Sequence, residues 1–456
     1  MRQSKRTRRD FLKTTAGVTA ASMAGPYFFT AAAKADEPKS ERLVVASIGV
    51  GGRGSDIGRQ AALLGNTVAC ADVHLGNAHN FANMKEIGGK CQVYQDYRKV
   101  LDRKDVQAVT IGTPDHWHIK VATDALAAGK DVYCEKPLTL TIDESRMICK
   151  AVKASGRVFQ VGTQQRTVFG HAFLEAVAIA RGGRLGKKLA AKACVDKATI
   201  GGPFENAEPP KELDFNFWLG QAPTVPFCPN RIGWNFRWWY DYSGGQVTDW
   251  GVHHTDIALW ALGGEKTGVA EVECKGSEFP LGRQLTLDYL LGKKSVADLP
   301  NKYNVAERFD CNMRLPNGNT INLNSVGNDI HIAGEKGHLR VNRGGIHGKI
   351  VDELKNNPTE KAWLDAEVAK LYRGKLSDNE DLGHMENFFN CVKDRSLPIS
   401  DVYSHCNSVN ACHMANISML LGRKVQWDSQ KQEFIDDDEA NQLTRRKERE
   451  PYVIKV

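Results

Sequence analysis

One stretch of the chain holds the residue types needed to move a proton. It runs Gly244-Gly245-Gln246-Val247-Thr248-Asp249-Trp250-Gly251-Val252-His253-His254-Thr255-Asp256-Ile257. Thr248 is suited to cap a helix and Gly263-Gly264 to end it. Asp249, His253, Asp256 and Trp260 then fall at i, i+4, i+7 and i+11, on one face. An imidazole between two carboxylates suits general acid–base work, so Asp249, His253 and Asp256 are the catalytic candidates. The positive helix end favours neutral imidazole and ionised carboxylate, which readies His253 to take a hydroxyl proton near neutral pH. Asp249 would orient the ring or bind a substrate hydroxyl. His254 points elsewhere and reads as structural. The same residue types can ligate a metal, but no Cys or His completes a tetrahedral set, so no metal is expected.

A second set reads as a phosphate cradle. Gly49-Val50-Gly51-Gly52-Arg53-Gly54 follows a short apolar run and opens a helical pattern, the context that gives G-x-G-x-x-G its meaning. Gly49 permits the tight turn, Gly51 lets the backbone reach a pyrophosphate, and Gly54 allows close helix–strand packing. Gly52 and Arg53 lie in the same loop, and the helix N-terminus offers free N–H groups. Asp72 ends the next strand, 18 residues beyond Gly54. A carboxylate there accepts from ribose hydroxyls and repels a 2′-phosphate, so NAD is expected. Arg53 keeps NADP open, because a guanidinium could approach that phosphate.

The elements that must position these residues alternate. Apolar runs at 43–48, 67–71, 106–111, 131–134 and 158–161 read as strands, with helices at 55–64, 77–87, 116–128 and 142–154. Strand and helix in strict alternation predict an α/β unit with a parallel sheet, a Rossmann dinucleotide-binding domain over 36–162. Beyond it, a helix at 171–181 precedes runs that read as antiparallel strands near 189–196, 269–275, 285–291, 308–315 and 319–325, and helices at 382–393 and 405–421 follow. This predicts an α+β domain on a mixed or antiparallel sheet over 163–430. A charged surface arm is expected over 431–456.

Two further strings stand at strand ends of the first domain, Gly112-Thr113-Pro114-Asp115-His116-Trp117-His118 and Cys134-Glu135-Lys136-Pro137. With the glycine fingerprint they resemble the Gfo/Idh/MocA oxidoreductase family, over about 42–430. The resemblance implies that Lys136 stands beside the nicotinamide and the substrate hydroxyl and is catalytic, with Glu135 at the same strand end. It implies that Thr113 and Pro114 line the cofactor, and that Glu135 and His118, which begins the next helix, contact it as well. The family's D-x-x-x-H-x-x-D helix matches Asp249, His253 and Asp256. Gln164 and Arg166 fall where the family's substrate domain meets the cofactor, which makes Gln164 a cofactor contact and Arg166 a substrate contact. The family commonly assembles through its C-terminal sheets, so a homo-oligomer, dimer or tetramer, is expected.

Residues 215–242 pack ten aromatic side chains into 28 positions, interleaved with Arg231, Asn235 and Arg237. Flat rings and fork-shaped donors suit a pyranose, with its apolar face and rim of hydroxyls. Trp234, Arg237 and Trp239 are the substrate-contact candidates, although any single ring also reads as packing.

The 456 residues carry a net +7, but residues 1–35 hold +6 of it and the rest about +1. That distribution leaves no basic face for a nucleic acid. The leader runs from a basic stretch with Arg8-Arg9 through a mildly apolar segment to Ala31-Ala32-Ala33-Lys34-Ala35. It resembles a twin-arginine signal, cleaved after Ala33 or Ala35, with an uncleaved anchor or a basic tail as the alternative. The expected partner is the twin-arginine export machinery and the expected location periplasmic or otherwise extracytoplasmic. No apolar run reaches 18 residues, so the mature form should lack a membrane span. Eleven cysteines, odd in number and without C-x-x-C, suggest neither a disulfide framework nor a zinc site.

Taken together, these features imply an NAD(P)-dependent enzyme that oxidises a secondary hydroxyl of a sugar, glycoside or cyclitol. Export removes it from the cytoplasmic nucleotide pool, so the cofactor is expected to be tightly bound. Two alternatives stay open: redox-neutral cleavage of a glycoside through transient C3 oxidation, and a non-catalytic carbohydrate-binding protein with a vestigial nucleotide site.

Overall fold

Val44–Ile48 (β1), Asn66–Ala71 (β2), Gln92–Tyr94 (β3), Ala108–Ile111 (β4), Asp131–Glu135 (β5) and Phe159–Gly162 (β6) form a parallel sheet in the order β3-β2-β1-β4-β5-β6. The computed structural model describes residues 42–373, 376–377, 379 and 381–456; the leader lies outside them. Every residue of β4 and β5 is buried, as expected for strands covered on both faces. Helices Gly52–Leu64, Leu75–Ala82, Asp115–Ala127 and Ile142–Ser155 belong to the crossovers. The last is closed at both ends: the Glu144 N–H donates to the Thr141 hydroxyl at 3.3 Å, and Gly156 is left-handed at φ 63. Strand order reverses at β1, with β2 on one side and β4 on the other. Ligands of open α/β sheets bind at such a switch point.

The second sheet has nine strands in the order β13-β12-β11-β7-β10-β9-β8-β14-β15. They are Leu189–Cys194 (β7), Glu271–Glu278 (β8), Arg308–Arg314 (β9), Thr320–Asn324 (β10), Asp329–Gly334 (β11), Gly337–Asn342 (β12), Gly345–His347 (β13), Val425–Asp428 (β14) and Glu433–Phe434 (β15). The sheet is mixed: β10 pairs parallel with β7 and antiparallel with β9. Phe309, Cys311 and Met313 alternate inward along β9, giving the sheet one apolar face. That face packs on helices Ala172–Arg181, Gln246–Ala261 and Val402–Leu421 in the largest core. The Gln246–Ala261 helix is enclosed so completely that every residue but Trp250 is buried.

Several expectations are corrected. The 285–291 run is a helix, Arg283–Leu290, because Thr286 and Leu287 turn inward together while its hydrophobic alternation only mimics a strand. The acid–base helix starts earlier than its sequence suggests. Gly245, at φ 72, is its cap, and Thr248 already lies in the first turn with its hydroxyl donating to the Gly245 carbonyl. The charged C-terminal stretch is no surface arm. Leu443, Thr444 and Ile454 are buried, Arg449 donates to the carbonyls of Gly220 and Ala222, and Tyr452 stacks on Phe217. Its charges face outward while the intervening residues clamp the aromatic segment. One cysteine pair is joined, Cys274 to Cys311 across β8 and β9; spacing gave no hint of it, because register brings the two together. Strands β11–β13 and helices Lys349–Asn356 and Pro358–Tyr372 lay in the segment for which the sequence suggested no element. Among the described residues, no helix is long and apolar enough to cross a membrane.

Candidate active site

The glycine loop is shaped by contact with its neighbours. Gly49 sits at φ 72, and a Cβ there would lie 2.6 Å from the Thr113 nitrogen. A Cβ on Gly54 would lie 1.8 Å from the Gly49 carbonyl oxygen, and one on Gly112 2.5 Å from the Gly54 Cα. The helix therefore starts pressed against the ends of β1 and β4, and its first N–H groups open on a cavity of about 820 Å³. Gly49, Gly51, Gly52, Arg53, Thr113, Pro114 and Asp72 line it; Gly54 lies behind the wall and shapes it. Asp72 accepts from the Val50 N–H at 2.9 Å and the His74 N–H at 2.8 Å. Burial pushes its carboxyl up, against the pull of those backbone donors.

Arg53 turns away from Asp72. Its Nε donates to Glu135 at 3.1 Å, across β4 at the end of β5, where Glu135 also accepts from Gln164 at 2.8 Å. Gly162 leaves the space for that carboxylate, since a Cβ there would lie 2.8 Å from it. His118 lies at the cavity wall and ties two loops together. Its Nδ1 is 2.7 Å from the Pro137 carbonyl and its Nε2 2.9 Å from that of Thr113.

The opposite wall comes from the Gln246–Ala261 helix and the segment before it. Lys136 Nζ donates to Asp249 Oδ1 at 2.7 Å and to the Asp249 carbonyl at 2.9 Å. Arg237 Nε lies 3.2 Å from the same carboxylate oxygen. Burial would raise the Asp249 carboxyl, but Lys136 and Arg237 hold it below the usual range. His253 lies one turn further along, buried, lining the cavity, with Nδ1 unpartnered. Burial, reinforced by the charges of Lys136 and Arg343, holds its proton affinity far below the ordinary value, so the ring is neutral. Lys136, Asp249 and His253 thus share one wall.

Asp256 and Arg166 do not join them. They form a two-pronged ion pair at 2.6 and 2.7 Å, 1% and 2% exposed, sealed by Ser408, Ser404 and the Ile399 carbonyl. The helical stripe was read correctly, but the stripe leaves the cavity after His253 and enters the core. The substrate contact expected of Arg166 is corrected accordingly. Trp239 is also withdrawn, 2% exposed, with its indole N–H donating to the Asn230 carbonyl and Arg231 over its face. Trp234 is the opposite case, 61% exposed at the cavity edge with the Arg237 guanidinium 4.0 Å from its ring centre.

Three contributors were not singled out from sequence. Asp115 opens its helix on the cavity wall, buried, with Oδ2 unpartnered; burial pushes its carboxyl up to about 7. It sits inside the Thr113–His118 string and was legible there. Trp250 and Arg343 form the far wall, the latter on the β12–β13 turn. Nothing in the local sequence marks Arg343, which arrives only through the sheet. Metal-ligand types gather away from the cavity, at Cys194, Asp329 and His331, where Arg340 already pairs with Asp329.

Residues 43–163 match the family described as "Oxidoreductase family, NAD-binding Rossmann fold", and residues 201–281 and 347–454 match its C-terminal alpha/beta domain. The chain belongs to the Gfo/Idh/MocA oxidoreductase family. Similar members include an inositol 2-dehydrogenase of Pseudomonas savastanoi pv. phaseolicola, 35% identical over 50% of this chain and 57% of that protein. A scyllo-inositol 2-dehydrogenase (NAD(+)) of Bacillus subtilis is 29% identical over 39% of this chain and 41% of that one. The chain spans about half the length of the curated relatives it matches. An aldose-aldose oxidoreductase of Caulobacter crescentus, solved with glycerol, shares the Gfo/Idh/MocA fold at TM-score 0.57 and 18% identity, over 84% of this chain and 99% of that one. The matched C-terminal segments take in β8, β14 and β15 of the mixed sheet and include Asp249 and His253 but not Arg343.

Proposed function

We propose that the protein oxidises a secondary hydroxyl of a sugar, glycoside or cyclitol, with NAD as a tightly held cofactor. The observation that carries this reading is the Lys136–Asp249–His253 wall facing the glycine loop across one cavity. The residues fit a dinucleotide: a glycine loop that a Cβ at Gly49 or Gly54 would push out of shape, a helix N-terminus, and a buried carboxylate at Asp72. A nicotinamide held at the β4–β5 strand ends would supply a hydride acceptor. Arg53, engaged with Glu135 across β4 from Asp72, is turned away from the ribose side, which supports NAD over NADP. The names of the inositol dehydrogenases point to the same substrate class.

Lys136 donates a hydrogen bond to the substrate oxygen and Asp249 keeps its ammonium in place. Neutral His253 accepts the hydroxyl proton as the carbon loses hydride. Trp234 and Phe236 offer flat surfaces to the sugar. The leader resembling a twin-arginine signal supports export. Outside the cytoplasm the nucleotide cannot exchange with a free pool, so turnover would run by ping-pong transfer between two sugars. Native mass spectrometry of the exported form should find one nucleotide per subunit and give the subunit count; a nucleotide-free protein overturns tight binding. With a sugar that reduces the bound nucleotide, Lys136→Met should lower the rate by about 10²–10⁴-fold with the nucleotide retained. An unchanged rate overturns the role given to Lys136.

A second reading rests on Asp115. A buried carboxyl on the same wall that holds a proton near neutral pH is what elimination from an oxidised glycoside needs. Release of nitrophenol from nitrophenyl glycosides in deuterated water, with deuterium at C2, favours that route; absence of release leaves the dehydrogenase reading alone.

A further inference from the structure

Among the described residues, four cationic side chains line the cavity, Arg53, Lys136, Arg237 and Arg343, with Asp381 also at its wall. Three are matched. Lys136 and Arg237 share Asp249, and Arg53 is held by Glu135. Arg343 makes no hydrogen bond or ion pair among the described residues. It is held instead by two ring faces, its guanidinium carbon 4.3 Å from the Trp250 centroid and 4.9 Å from that of Phe169. Such stacking fixes the plane of the guanidinium and leaves its N–H edge free, the geometry that receives a carboxylate in two prongs. The turn that carries it is itself braced, with the Gly344 N–H donating to Asn342 Oδ1 at 2.8 Å.

Position matters as much as charge. Trp250 is adjacent to Asp249, and its ring centre lies 5.9 Å from that of His253. The unmatched guanidinium therefore stands at the reacting end of the cavity, on the mixed-sheet side, while the phosphate cradle stands at β1. Arg343 is solvent-exposed at this end, so a sugar that fills it would displace part of the water around the guanidinium. A neutral sugar would leave a cation partly desolvated and unpaired, which costs affinity.

We infer that Arg343 receives a carboxylate of the substrate, and that the substrate class is a carboxylated sugar or cyclitol, such as a uronic acid. The inference rests on the sugar-oxidoreductase reading above. One unmatched cation suits a monoanion. A phosphate dianion would keep a surplus negative charge beside Asp249 and Glu135.

The test is calorimetric binding to the nucleotide-loaded protein of a matched set, methyl glucoside, methyl glucuronide and glucose 6-phosphate, with nicotinamide reduction followed in parallel. The glucuronide should bind at least about tenfold more tightly than the glucoside. Arg343→Met should erase that preference while nucleotide affinity stays within about twofold. Equal affinity for the two glycosides, or a preference that survives Arg343→Met, overturns the inference. Loss of nucleotide affinity in Arg343→Met assigns the guanidinium to the cofactor, and tightest binding of the phosphate assigns the site to phosphate esters; both overturn it. Reduction by neutral sugars without a preference for the acid leaves the proposed function standing. An Arg343-dependent preference for the acid without reduction by any of the three keeps the carboxylate site and removes glucose-configured sugars from the proposed substrates.

Discussion

Asp249 and Asp256 lie seven residues apart on one stripe of one helix, and they do opposite things. Asp249 meets Lys136 and Arg237 at the edge of the cavity, where solvent or substrate can share its partners. Asp256 meets Arg166 in the core, where both members of the pair are almost fully enclosed. Burial would raise both carboxyls, and in both a cation holds them down. The difference lies in what surrounds the pair. An ion pair on a cavity wall is available to chemistry, whereas one sealed among Ser404, Ser408 and backbone is a joint between helices. Arg166 ties the segment after β6 to this helix and to the Val402–Leu421 helix, so it sets the angle at which Asp249 and His253 face Lys136.

The comparison is most sharply tested by cutting the sealed pair. Arg166→Met strands a buried carboxylate and should cost about 3–5 kcal/mol of stability in denaturant unfolding. Asp249→Asn should cost markedly less stability while lowering kcat about a hundredfold. Equal stability losses would mean that the two ends of the helix are not different environments.

Acid provides a second, smaller probe. His405 lies beside the sealed pair with neither ring nitrogen partnered, and burial lowers its pKa to about 4. His116, His254, His384 and His413 are likewise buried and lowered. Below an ordinary value of 6.5 the unfolded chain binds protons that the folded chain refuses. Stability should therefore be unaffected by these groups above that pH and fall as pH drops toward about 4. His405→Leu should remove roughly 3 kcal/mol of that acid sensitivity, read from unfolding curves at successive pH values. An unchanged slope would mean that His405 is hydrated.

The smallest effect is expected at the open edge. Trp234→Ala removes an exposed ring, so stability should change by less than about 0.5 kcal/mol. KM for the substrate should rise severalfold with kcat little changed, because a stacking surface contributes to binding rather than to the reacting bond. Wild-type KM would reduce Trp234 to a surface residue.

Local patterns carried five of the six strands of the first sheet, since parallel strands buried on both faces read as plain apolar runs and the glycine loop follows one of them; the short, half-exposed edge strand β3 gave no such run and was missed. They failed where the reading frame was tertiary. The Arg283–Leu290 helix alternates like a strand, the C-terminal stretch shows its charges but not its anchors, and Cys274 meets Cys311 only through register.

The sequence by itself determined the loop at Gly49–Gly54, the strand-end Lys136, and a helix face bearing Asp249, His253 and Asp256, because each depends on spacing within one element. Only the tertiary structure decided which carboxylate opens on the cavity, that Arg166 is a joint, that Trp239 is enclosed and Trp234 is not, and that Arg343 reaches the site at all. Those outcomes depend on where one element ends against another, and packing between distant segments sets that boundary.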